Sequence, residues 1–422
     1  MSAPRPFVLN AAVAVHYASG GAFLPFITLL FQDRGLDLEQ ISHINLLAAA
    51  VGATVPLLWG VVADRWVATD RLLFVLYVAF AIAFEVFAWQ QSFQGLLLGY
   101  VLLFALYPPA GALLFALAYR HFDAPERQFS RLRSWGSVGW IAPSFPIFLW
   151  LAFRGEGKDA DLTFTLHAAA AINVLQCLLV CLLPHTPPLA RAKPGDGELG
   201  YRAAVVQLFR KRGFVGLMGV VVLLHSSFAI LFYYSPKFLE ERGIDRTWIG
   251  PIQSGGVACE VLLFLTLPWA LRRLGLRGTL LVGCATMMLR HLLYALDAPP
   301  WALAASYVLA GMVVVYYVTV SSIVVNSLAS SGLKATAQTL LMLLGSGIGQ
   351  TCGHWAAGRI ALHSTYGLRG VFVYATVSAA AAFALLAFVM RERDFAGTGS
   401  SSATLLKPPA APPPISRTAG SP

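Results

Sequence analysis

Residues 94–118 read QGLLLGYVLLFALYPPAGALLFALA, 25 residues without a charged side chain. Coiled into an α-helix at 1.5 Å per residue, the stretch is about 37 Å long. That exceeds the roughly 30 Å of hydrocarbon in a bilayer, so it reads as a membrane-crossing helix. The same texture recurs along the chain, of which 57% is hydrophobic and only 12% charged. A soluble domain carries about a quarter charged residues, and a chain of 422 residues with so few could not cover its surface. The apolar blocks lack the alternation of barrel strands. The fold class expected is therefore an all-α membrane protein.

Twelve blocks are predicted as helices, at 8–31, 41–62, 71–90, 94–118, 126–153, 163–183, 213–238, 248–270, 278–296, 300–327, 335–361 and 367–390. The first follows only a few residues and has no small-residue cleavage site, so it reads as a retained helix rather than a leader. Residues 184–212, with Pro184, Pro187, Pro188 and Pro194 and the run Arg210, Lys211, Arg212, interrupt the series. The organisation expected is a six-helix bundle over 1–183, a linker over 184–212, a second six-helix bundle over 213–390 and a disordered tail over 391–422. Two pseudo-symmetric bundles of six suggest a transporter built from repeats, its site between them near the membrane midplane.

Orientation follows from basic residues. One side collects Arg5, Arg65, Arg71, Arg120, Arg127, Arg131, Arg133, the basic part of the linker, Arg272, Arg273, Arg277, Lys334, Arg391 and Arg393. The other collects Arg34, Arg154, Lys158, Arg242, Arg246 and Arg369, interleaved with acids. By the positive-inside rule both termini and the linker are cytoplasmic, in a plasma membrane, a bacterial inner membrane being the setting expected. The net charge of +10 thus reads as a topology signal; no nucleic-acid partner is expected. Cys177, Cys181, Cys259, Cys284 and Cys352 lie inside apolar blocks without metal-ligand or disulfide spacing, and neither metal nor cofactor is expected.

The fifth block is the most informative. Arg133, Ser137, Trp140 and Ser144 recur at helical spacing, placing a cation, two hydroxyls and an aromatic plate on one face. Asp123 and Pro125 suit the start of that helix, and Gly136 and Gly139 allow close helix packing. Such a face suits a solute with hydroxyls and a ring; Arg133 could instead anchor the helix at the cytoplasmic surface. Glu260 and Arg290 lie at matching depths in consecutive blocks. Charges there are costly unless paired or facing water, and a glutamate that gains and loses an arginine partner changes its proton affinity with conformation. The alternative is a permanent structural pair. His225, beside Ser226 and Ser227, is a ligand donor, a proton carrier or a buried core histidine, with Phe228 and Phe232 following at helical spacing. Tyr316 and Tyr317 are candidates for solute stacking or for core. His16, His354 and Gln350 are weaker candidates, and Glu85 suits the outer interface.

Gly60-Val-Val-Ala-Asp64-Arg65, continued by WVATDR to Arg71, resembles the signature between the second and third helices of the major facilitator superfamily. Asp64 is an anion at a helix end, able to meet a helix N-terminus or a loop arginine and latch the two halves in one state with Gly60, Arg65 and Arg71. The corresponding place in the second half reads LRRLGLR, 271–277. The resemblance narrows through RLRSWGSVGWI (131–141), the stretch from Cys259 to Pro299, and KATAQTLLMLLGSGIG from Lys334. These resemble the branch holding nucleoside:proton symporters, galactoside symporters and phenylpropionate-type permeases, over nearly the whole chain to about residue 390. The resemblance implies the major facilitator fold. It also implies solute contacts at Arg133, Ser137 and Trp140, and solute and proton handling at Glu260 and Arg290. Three positions depart from the branch. Val315 stands where nucleoside symporters have an acid, Val257 where they have a glutamine, and Phe115 where galactoside symporters have a glutamate.

Together these readings give a proton-coupled symporter for a small polar solute, a nucleoside first. The solute site comprises Arg133, Ser137, Trp140, His225, Phe228, Glu260, Tyr316 and Tyr317, with coupling at Glu260 and Arg290. A sugar or aromatic carboxylate permease, a uniporter and a transport-dead receptor or scaffold are the alternatives. The partners expected are the solute, protons and the bilayer, for a monomeric protein. An intramembrane enzyme would need paired acids or a nucleophile with its base; no HExxH, GxSxG or paired aspartates occur, so no enzyme activity is expected. A cytoplasm-active reporter fused after Arg391 should be active in cells; activity only outside the cytoplasm would overturn the orientation.

Overall fold

The computed structural model describes residues 6–121, 125–154, 161–188, 201–330 and 333–395; among them there is helix and no strand. The first part of the chain holds α1 (Pro6–Phe23), α2 (Ile27–Asp33), α3 (Leu38–Arg65), α4 (Thr69–Ala88), α5 (Phe93–Arg120), α6 (Pro125–Ile141), α7 (Ser144–Arg154) and α8 (Thr163–Val180). After a short α9 (Tyr201–Phe209) come α10 (Arg212–Glu241), α11 (Ile249–Leu263), α12 (Leu267–Ala295), α13 (Pro300–Ala305), α14 (Ala310–Val313), α15 (Val320–Leu328), α16 (Lys334–Met342), α17 (Gln350–His363) and α18 (Gly367–Ala384). Helix starts follow local chemistry. Asp37 and Gln40 form a reciprocal capping box at α3, and Ser92 accepts from Gly95 N–H at α5. Asp123 lies outside the described residues.

Among the described residues ten helices are long and apolar enough to cross a membrane, against the twelve spans expected. Residues 246–295 run as one helical stretch, where two blocks were predicted. The fold-back between them is carried by Gly275 at φ 68, ψ −176, a region essentially closed to residues with a Cβ. The eleventh predicted span, 335–361, falls within helical residues Lys334–His363, which are not among the ten. Large apolar side chains face outward along these helices, among them Leu265 and Phe388 at 79% and 84% exposure. An aqueous surface does not sustain that, and with the spans it marks an integral membrane protein.

Two findings concern the chain's connecting segments. The predicted linker contains helix α9, and Thr186 N–H donates to Asp70 at 2.9 Å; residues 189–200 lie outside the described set. The predicted tail is ordered at its start, because Phe395 is apolar and buries itself against the second part of the chain. Residues 396–422 lie outside the described set.

The two parts of the chain meet through a shared apolar core and through polar contacts at one end. Arg246 binds Asp33 at 2.9 Å and Glu240 at 2.8 Å. Thr28 donates to the Tyr233 carbonyl at 2.5 Å, and the Ser42 and Tyr234 hydroxyls are 2.9 Å apart. At the opposite end the described polar contacts stay within one part. Asp64 pairs with Arg120 and Asp70 with His185, while Lys211 donates to Leu328 O and Arg277 to Ala387 O. In a loop at the joined end, Arg242 holds the Asp297 carboxyl below its usual range. That contribution is present at neutral pH and fades as acid protonates Asp297.

Gly275→Ala should cost about 1–3 kcal/mol through backbone strain, seen as a lower melting temperature in detergent. An unchanged midpoint would show that the fold-back does not require glycine.

Candidate functional site

Between the two parts lies a cavity of about 230 Å³. α6 reaches it because its backbone lies directly on α1: a Cβ at Gly139 would sit 1.9 Å from the Ala14 carbonyl oxygen. This contact orients α6 so that Arg133, Ser137 and Trp140 line the cavity. Across from them α10 supplies Phe228, Leu231 and Phe232. Trp140 and Phe232 have ring centres 6.2 Å apart, and Phe228 and Phe232 lie nearly parallel at 6.2 Å and 14°. A planar solute thus has aromatic faces available from both parts of the chain.

Glu260 is held by a second close approach. A Cβ at Gly311 would meet the Glu260 backbone nitrogen at 2.6 Å, so α11 and α14 touch through bare backbone. The side chain, 8% exposed, lines the cavity. Arg290 of α12 lines it too, with its guanidinium carbon 5.0 Å from the centre of the Tyr307 ring. The expected Glu260–Arg290 ion pair is not formed among the described residues in this conformation, although both line the cavity, as does Arg133.

Several expected site residues sit elsewhere. Tyr316 and Tyr317 do not line the cavity. The Tyr316 hydroxyl is 2.5 Å from Thr266 Oγ1, and that of Tyr317 is 2.6 Å from His225 Nδ1. Val314–Thr319 is a π-helical turn, whose wider winding breaks the 3.6-residue register assumed for them. His225 is likewise off the cavity, bonded within the second part and packed under Gly345. Ser144 leaves the α6 face because the helix breaks before it; it begins α7 and accepts from Ser254 at 2.7 Å. His16 stacks on Tyr107 with its Nδ1 3.0 Å from the Tyr77 hydroxyl. His354 meets Tyr234, and Glu85 pairs with His167. The Asp64–Arg120 contact lies within the first part of the chain, so in this conformation it joins no halves. Gly60 is partly buried beside it, while Arg65 and Arg71 are exposed.

Sequence reasoning also missed lining residues. Gln253 is one, and its signal was present: Gln253, Gly256, Val257 and Glu260 repeat at helical spacing on one face. Tyr17 and Tyr307 also line the cavity. Tyr307 sits in a 3₁₀ turn, Ser306–Leu309, where no α-helical period points to it.

Comparison with known proteins now bears on this geometry. The family model described as "MFS_1 like family" matches residues 8–374. The chain belongs to the MFS_1-like family, within the major facilitator superfamily. It is 25% identical to the putative nucleoside transporter YegT of Escherichia coli (strain K12), over 83% of each chain. It is 26% identical to the probable 3-phenylpropionic acid transporter of the same organism, covering 68% of this chain and 73% of that one. The crystal structure of nucleoside transporter NupG superposes with a TM-score of 0.78 at 20% identity, over 92% of this chain and 99% of NupG. The last likeness is one of fold: this MFS_1-like protein has the major facilitator architecture and is a membrane transporter.

Because their hydroxyls are engaged away from the cavity, Tyr316→Phe and Tyr317→Phe should each leave solute affinity within about twofold of wild type. A larger loss, measured by equilibrium binding, would return them to the site.

Proposed function

We propose that this transporter imports a nucleoside-sized ring solute, a nucleoside first, together with protons. The observation that carries the reading is the convergence on one cavity of Arg133, Ser137 and Trp140 from one part of the chain with Phe228, Glu260 and Arg290 from the other. The aromatic rings take the flat faces of the solute, and Ser137 and the arginines take its polar edge. Because both parts of the chain contribute, solute bound there bridges them, and rocking of one part against the other carries it across.

The names of YegT and NupG support a nucleoside, and the apolar Val257 in the cavity wall makes the site less polar than its resemblance implies. The division into two six-helix bundles joined near residues 184–212 follows the same reading. With the arginine-rich loops in the cytoplasm of a bacterial cell, the end joined through Asp33, Arg246 and Glu240 faces outward, and this conformation is closed to the outside. The protein acts as a monomer, since solute, cavity and both moving parts belong to one chain.

Glu260 is the carboxylate lining the cavity, and it loads and releases a proton as its distance from Arg133 changes. Glu260→Gln should lose uphill, proton-driven accumulation in proteoliposomes while keeping downhill exchange of solute. Trp140→Ala should lower affinity by roughly tenfold or more through loss of the stacking face. Unchanged accumulation in Glu260→Gln would sink the coupling reading.

A further inference from the structure

A second opening shares no lining residue with the solute cavity. It is a groove of about 520 Å³ on the flank of the second part, between the start of α10 and the segment that follows α18. Its form has a local cause. Gly216 and Gly219 carry no side chain, and those of Met390 and Leu385 stand 3.1 Å and 3.2 Å from where their Cβ atoms would be. After α18 the chain winds as the π-helical turn Leu385–Val389 and then extends at Met390, so the backbone leaves the regular helix beside these glycines. Phe209, Val215 and Val389 are exposed along the groove.

Two arginines stand at its mouth. Arg210 and Arg212 both line the groove and both are exposed. Neither is paired with an acid among the described residues, and the hydrogen bond of Arg212 to the Val389 carbonyl is long, at 3.5 Å. The acid in the lining, Asp394, accepts from the Arg391 N–H at 2.7 Å, and the intervening Lys211 turns away to the Leu328 carbonyl. Arg212 begins the membrane-crossing stretch of α10, so the guanidinium groups lie at the membrane surface. Gly219 lies two turns further on, about 10 Å deeper. Cations at the rim and an apolar channel leading into hydrocarbon match an amphiphile with an anionic head. A dissolved anion would leave the channel unfilled, and a neutral lipid would leave the arginines unmatched. Residues 396–422, which follow the groove in sequence, contain Lys407 and Arg417 and no acid, the wrong sign to cover it.

We infer that this groove binds one anionic glycerophospholipid from the adjacent leaflet. Its phosphate is held by Arg210 and Arg212, and an acyl chain runs along Val215, Gly219 and Val389. A guanidinium meets phosphate oxygens through paired hydrogen bonds, and basic pockets between crossing helices are suited to anionic head groups. The lipid ties the first turns of α10 to the segment after α18, the two places where this part of the chain leaves the membrane. The inference rests on the membrane character of the chain and not on the identity of its solute.

Native mass spectrometry of the full chain, purified in a neutral detergent and titrated with phosphatidylglycerol or with phosphatidylcholine of the same acyl chains, tests this. The wild-type protein should retain one phosphatidylglycerol about tenfold or more tighter than phosphatidylcholine. Replacing both arginines, Arg210→Gln with Arg212→Gln, should bring that ratio close to one. Removing the same charge from the exposed Arg272 and Arg273, outside the groove, should leave it unchanged. Val389→Trp, at an exposed position of the wall, should weaken retention of phosphatidylglycerol with the arginines still in place. The site is overturned if the wild type shows no preference, if the ratio survives loss of Arg210 and Arg212, or if Arg272→Gln with Arg273→Gln lowers it equally. It is overturned as a lipid site if inorganic phosphate displaces phosphatidylglycerol or if Val389→Trp changes nothing. Both arginines and Val389 are exposed, so these variants keep the packed interior, and the wild-type ratio stands without them.

Discussion

A backbone N–H or C=O left unpaired in hydrocarbon costs several kcal/mol, and every other feature of this molecule follows from avoiding that cost. Each crossing segment satisfies its own backbone as helix, so the outward faces can be given over to side chains such as Leu265 and Phe388. Polar chemistry is then confined to the interior, where it must be paired or face the cavity. The described ion pairs obey this, gathering at the two ends of the helices.

The interior is asymmetric. Arg246, clasped by Asp33 and Glu240, ties α2, α10 and the approach to α11 together at one end, and an apolar core crosses between the two parts of the chain there. A second core, from Leu208 to Phe395, is confined to the second part. The cavity lies between one region where the parts are fused by packing and another where the described polar contacts stay within each part. Its walls are set by backbone touching backbone at Gly139 and Gly311, which leaves little freedom in the placement of α6 and α11.

His225 shows how local winding redistributes roles. It lies between the π-helical segments Val314–Thr319 and Leu343–Gly349, bonded to Tyr317 of the first and packed on Gly345 of the second. The wider turns take both tyrosines away from the cavity, whose wall there is Ala310 and Val314. The charged groups lining the cavity are Arg133, Glu260 and Arg290.

Much of the site was legible in the sequence because α-helical spacing is a one-dimensional signal. Arg133, Ser137 and Trp140 share a face by their spacing, and Glu260 and Arg290 stood out because charges in apolar blocks are expensive. Membrane class and helix content followed from block length alone. What the sequence could not carry was winding that departs from 3.6 residues per turn and contacts between distant segments. The break before Ser144, the π-helical turn at Tyr316 and Tyr317, the fold-back at Gly275, the joining of Arg246 to Asp33 and the isolation of Arg290 from Glu260 were decided only by tertiary packing. The physical reason is the same in each case: a side chain's partner is fixed by how closely two helices approach and how each is locally wound, and neither quantity is written in the order of residues along one strand of chain.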